Sequence, residues 1–166
     1  QFGEAEKGID THTEDGQKAL EGLRQRRQDY LLEDARRRAE ANPTDLLVRF
    51  ELGELHFKAG RMGEAIAELQ KAQNNPNRRI AAMGLLARAF LHRGMNDMAA
   101  RKLQEALKEK PVFDDEAKDL TYHLGVVLEK MNRPQEAIEQ FKLIYEQDIA
   151  YRDVMARVDQ YYASQG

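Results

Sequence analysis

The chain has 166 residues, enough for one domain with a substantial core, and 42% hydrophobic against 33% charged residues describes a folded chain rather than a disordered one. A net charge of −3, from 26 basic and 29 acidic residues, supplies no field for DNA or RNA, and the lack of cysteine removes disulfides, thiolate chemistry and cysteine-held zinc. Ala, Leu, Glu, Lys, Arg and Gln dominate while Val, Ile and Thr are sparse, so the fold is expected to be all-α.

In chain order, residues 1–17 carry three glycines, many acids and little apolar periodicity, and are read as a flexible linker. Residues 18–42 form an expected long helix with Leu20, Leu23, Tyr30, Leu31 and Ala35 as its apolar positions, ended by Asn42-Pro43. The six arginines between Arg24 and Arg38 are interleaved with Asp29, Glu33, Asp34 and Glu40 at spacings that permit ion pairs, so they are taken as a solvated face.

From there the chain repeats itself. Leu52-Gly53, Leu86-Ala87 and Leu124-Gly125 open three similar stretches, 34 and then 38 residues apart. Each continues with a turn, then an alanine (Ala65, Ala99, Ala137), and then a large apolar residue (Leu69, Leu103, Phe141) four places further on. The expected units are 45–77, 78–111 and 114–148. Gly60 and Gly94 should stop the first helix of their units, Asn77, Asn96 and Asp114 are candidate N-caps, and Pro134 suits a first helical turn. The extra four residues of the second spacing fall around Val112 to Asp115, as a longer loop or a prolonged start of the next helix. Residues 150–163 place Tyr151, Val154, Met155, Val158, Tyr161 and Tyr162 at helical spacing and are expected to cap the stack.

The repeated order resembles the tetratricopeptide-repeat (TPR) family. The middle copy fits best, with Leu86, Ala87, Phe90, Gly94, Ala99, Leu103, Ala106 and Pro111 at the motif positions; the first copy has His56 at the aromatic position and Pro76 one place early, and the third has Leu128 and Ile144 as departures. The resemblance implies a right-handed superhelical solenoid of antiparallel helix pairs, about seven to eight helices in all. It also implies a packing role for Leu52, Gly53, Ala65, Leu86, Ala87, Ala99, Leu124, Gly125 and Ala137, small residues on paired helices allowing close approach.

In TPR proteins the first helix of each pair lines a concave face. Carried onto this chain, its inward positions are Leu47, Phe50, Glu54, Phe57 and Lys58, then Ala81, Gly84, Arg88, Leu91 and His92, then Asp119, Tyr122, Val126, Glu129 and Lys130. Phe50, Glu54, Phe57, Arg88, Leu91, His92, Tyr122 and Val126 are the expected partner-binding residues, the competing role for the aromatics being to fill the space between repeats. Gly84 is read as leaving room for a bulky ligand side chain. The subclass that grips chaperone C-terminal carboxylates carries Lys and Asn where Phe50, Glu54, Gly84, Arg88, Tyr122 and Val126 stand here, so that ligand is not expected.

Chemistry is absent from the pattern. Ser164 is the sole serine, no phosphate loop occurs, and the four histidines form no close ligand pair; against a metal shared by His56 and His92 across repeats stand ordinary packing or surface roles for both. No enzyme activity, metal or cofactor is expected. The expected function is a scaffold or adaptor that takes a peptide or helix of a protein partner in the concave groove, as part of a longer, bacterial protein, since the sequence begins at Gln1. The alternative is a self-associating domain, such as a homodimer, with the groove filled by its own N-terminal segment. No run of about 20 apolar residues inserts this chain in a bilayer. The sequence assigns no compartment; the cytoplasm is slightly favoured, with membrane tethering left to other parts of the protein.

Overall fold

The computed structural model describes residues 2–166, and within them the chain is a run of nine helices without strands. They are α1 (Phe2–Lys7), α2 (Glu14–Ala41), α3 (Leu46–Lys58), α4 (Met62–Ala72), α5 (Arg79–His92), α6 (Asn96–Lys108), α7 (Asp115–Lys130), α8 (Pro134–Gln147) and α9 (Val154–Gln165). Each of α2 to α9 packs on its neighbours in sequence, and α3, α5 and α7 also touch one another in order. That is the contact pattern of stacked helix pairs, α3–α4, α5–α6 and α7–α8, with α3, α5 and α7 forming the inner layer.

The repeat signature explains the stacking. Ala65, Ala99 and Ala137 are buried to 1% exposure or less, as are Leu69, Leu103 and Phe141 on the same helices. The nearest neighbours of Gly53 and Gly125, on the first helices of their pairs, are the large residues four places beyond those alanines. An added Cβ on Gly53 would lie 2.8 Å from Leu69, and one on Gly125 would lie 2.6 Å from the Phe141 ring. Glycine therefore creates the socket into which the bulky side chain of the second helix fits.

The termini depart from the expected boundaries. The segment read as a linker contains α1 and the first turn of α2, which begins at Glu14 instead of Lys18 because the Thr13 side chain accepts from Gly16 N–H and Glu14 and Asp15 sit at the positive end of the helix dipole. Gln1 lies outside the described residues. The buried stripe of α2 is Leu32, Ala35 and Ala39, whereas Tyr30 and Leu31 are 56% and 40% exposed. With 28 residues, α2 is about 42 Å long, and its N-terminal half extends past the end of α3 with only α1 beside it.

Capping also differs in detail. Asp114 caps α7 through Ala117 N–H, and Asp45 caps α3 through Leu47 and Val48 N–H. Asn96 is the first residue of α6 and Asn77 lies before Arg78, so neither is a side-chain cap; α5 and α6 start without one. Gly60 and Gly94 adopt φ of 77° and 75° and end α3 and α5, while Asn132 does the same work after α7 at φ 60°. The extra four residues of the second spacing lie in no loop: two prolong the end of α6 and two prolong the start of α7. The connections at 73–78 and 109–114 are equally long, but α6 has 13 residues against 11 in α4, and α7 has 16 against 14 in α5.

Candidate functional site

The inner layer holds a cleft of about 260 Å³ between α3, α5 and α7. Phe50 and Glu54 form one wall and Glu116 and Asp119 the other, with Ala81, Gly84 and Arg88 between them. Repetition puts them there: each lies within about two turns of the Leu-small pair that anchors its own helix, and burying the pair fixes the rotation that brings these side chains to the inner layer. Phe50 and Glu54 are half-buried, which leaves an apolar face and an acid open to a ligand.

Arg88 projects along this layer with its guanidinium 5.1 Å above the Phe57 ring, and the His92 ring packs edge-to-face with Phe57 at a centroid distance of 5.3 Å. Stacking on Phe57 orients the cation while leaving its donors free, since among the described residues Arg88 enters no ion pair. Phe57, Leu91 and Val126, like Phe50, are partly buried against the main core. His92 is exposed.

Two expected inward positions also serve the chain's own packing. Gly84 lines the cleft, and a Cβ there would stand 3.0 Å from Leu120, so the glycine also serves the close passage of α7 over α5. Tyr122 is held by the chain itself. Its hydroxyl donates to Asp153 at 2.7 Å, the Arg152 guanidinium lies 4.7 Å over its ring, and Tyr151 and Phe141 pack edgewise on it. Burial and the Asp153 carboxylate push the Tyr122 pKa up, keeping it a donor.

The rest of this lock joins α7 to α9. Arg152, in the left-handed region at φ 42°, pairs with Asp119 at 2.6 Å, and Arg157 bridges Glu129 and Asp153. Burial opposes the charge on Arg157, but hydrogen bonds to Glu129 and Asp153 outweigh it and hold the pKa up. Asp119, Tyr122 and Glu129 are thus engaged by the α8–α9 segment, so the α7 wall of the cleft carries an Asp119 that is already paired. Ile80, Leu85, Glu116 and Leu120 also line the cleft and were not expected. Their signal was adjacency: each lies one, three or four places from a predicted inward position, within the width of one helix face.

Among the described residues no group of three His, Asp or Glu side chains is placed to hold a metal, and no helix is long and apolar enough to cross a membrane. The family described as "T7SS, ESX-1 secretion system protein EccA1, N-terminal domain" matches residues 16–163. The chain belongs to this EccA1 N-terminal domain family. The EccA1-type domain has the TPR fold: it is similar to the crystal structure of MamA, with a TM-score of 0.74 at 20% identity over 93% of this chain and 85% of that one. It is also similar to TTC0263, a thermophilic TPR protein of Thermus thermophilus, with a TM-score of 0.63 at 18% identity over 96% and 86% of the two chains. A search of the curated proteins gave no match.

Proposed function

We propose that this domain is a protein-interaction module of an ESX-1-type secretion component, receiving a peptide or helix of a partner along the inner faces of α3 and α5. The observation that carries this reading is the conjunction of Phe50, Glu54 and Arg88 on one half-open surface: an apolar anchor, an acid and a pre-oriented cation that enters no ion pair among the described residues. Such a surface buries one side chain and orients a charged one. The family's description as an N-terminal domain supports a place in a longer protein.

Self-association with the groove filled by the N-terminal segment is the other reading. The position of α1 on α2, without contacts to α3, α5 or α7, favours the open groove. The test is a quantitative pull-down from cells of the source organism, comparing the domain with a Phe50→Ala, Arg88→Glu variant that keeps its helical circular dichroism. Proteins lost with the variant are inner-face ligands; an unchanged set overturns the proposal. Tyr122 is left intact, because its removal would also break the hydrogen bond to Asp153 at the start of α9.

A further inference from the structure

The arginines of α2 are not equivalent. Arg36 pairs with Glu33, Arg37 with Asp34, and Arg38 with Asp34 and with Glu51 of α3. Arg24 and Arg27, one helical turn apart and a full α2 turn or more before these, enter no ion pair among the described residues, and neither does Lys58 at the end of α3. These three cations converge. They line a cleft of about 450 Å³ in the angle where α2 runs on past α3, with Leu31 and Leu55 also on its walls and Glu21 as its single acid. Leu31 is 40% exposed although it sits mid-helix, where a solvated face would carry a polar residue. The α1 helix lies elsewhere on α2, its Phe2 ring 6.1 Å from that of Tyr30, and lines no part of the cleft.

We propose that the α2–α3 cleft is a second docking site, distinct from the inner face, for an acidic polypeptide segment that places a leucine-sized side chain between Leu31 and Leu55 and carboxylates against Arg24, Arg27 and Lys58. Charge complementarity selects this occupant. Three cations against one acid attract carboxylates and repel a basic segment, and the exposed leucine rewards an apolar side chain that a purely electrostatic ligand lacks. The spacing of Arg24, Arg27 and Leu31 along one face of α2 suits a ligand whose charges and leucine lie along a single edge. Arginine in place of lysine at two of the three positions favours bidentate carboxylate geometry.

The probe is a fluorescein-labelled, Glu-rich peptide carrying one leucine, titrated by anisotropy into the whole domain, beside two matched peptides: one with Ser for Leu, one with Lys for every Glu. Binding should be saturable for the first, about tenfold weaker for the Ser version, and absent for the Lys version. Leu31→Ser should weaken it by about tenfold and Arg24→Glu with Arg27→Glu should abolish it. Both variants change exposed side chains only, and circular dichroism verifies their fold. Amide shifts should fall on residues 20–31 and 55–58, and Phe50→Ala with Arg88→Glu should leave binding unchanged. Equal affinity for the Leu and Ser peptides would reduce the site to counter-ion attraction and overturn the proposal. So would shifts confined to the inner face, which would instead favour the function proposed above, or the absence of binding. Concentration-dependent self-association that disappears in the double charge variant would assign the cleft to a second copy and likewise overturn it.

Discussion

Arg157 reaches from α9 to α7 so that its Nη1 lies 2.8 Å from both carboxylate oxygens of Glu129, while its Nε donates to Asp153 at 2.9 Å. One guanidinium thereby fixes both the angle of the last helix and the turn that leads into it. Its side chain is 27% exposed, so Arg157→Ala should cost about 1 to 2 kcal/mol, less than a fully buried charge-assisted pair. Denaturant melts measure that loss. Amide exchange should locate it, with faster exchange in α9 and unchanged protection in α3 to α6.

The glycine sockets make opposite predictions for the same substitution. Gly125→Ala drives a methyl group into the Phe141 ring and should destabilise by about 1 to 3 kcal/mol. Gly22 in α2 has open space around it, so Gly22→Ala should stabilise by about 0.5 to 1 kcal/mol through helix propensity. Ala65→Leu, Ala99→Leu and Ala137→Leu should overpack fully buried positions, at about 1 to 3 kcal/mol each. Thermal melts of this set separate packing from propensity.

His56 is 5% exposed, and its Nδ1 has no hydrogen-bond partner among the described residues. Burial pushes its pKa down, opposed by Glu64 and Glu68 and reinforced by Arg36 and Arg61. The unfolded chain, titrating near the ordinary value of about 6.5, takes up the proton before the folded one. Stability present above that pH is therefore lost as pH falls through it. His56→Leu should flatten the fall in denaturant midpoint between about pH 7.5 and 5.5; an unchanged slope would acquit His56.

Asn132 closes α7 in the conformation that Gly60 and Gly94 supply after α3 and α5. Asn132→Gly should be near neutral, and Asn132→Val should cost about 1 to 2 kcal/mol, because a branched side chain crowds the left-handed region. The difference between their melting temperatures tests whether this turn is limited by backbone conformation.

The repeats were legible because their packing is local and periodic: Leu52, Leu86 and Leu124 recur with their small neighbours, and all are buried. What filled each socket was not, since Gly53 against Leu69 and Gly125 against Phe141 are contacts between helices that the motif gives only as separate positions. Tyr122 shows the same limit at longer range. Its position marks it as inward, but Asp153, 31 residues on, claims its hydroxyl, and no helical period reports that contact. The start of α2 was obscured by composition. Glycines and acids at residues 8–16 read as loop, yet Thr13 and two acids make a helix start, and Gly16 is needed where the Asp10 carbonyl approaches.

The two added residues at the end of α6 and the two at the start of α7 lie at the same edge of the stack, because antiparallel helices joined there share that edge. At 1.5 Å per residue they raise it by about 3 Å, and Val112 and Phe113 stand exposed at the crest beside Lys110 and its partners Asp114 and Glu116. Three ribs that would otherwise be interchangeable acquire a step. A polypeptide laid across them would meet a taller wall only where the second rib joins the third, so reversing its direction or sliding it by one rib would yield a different fit.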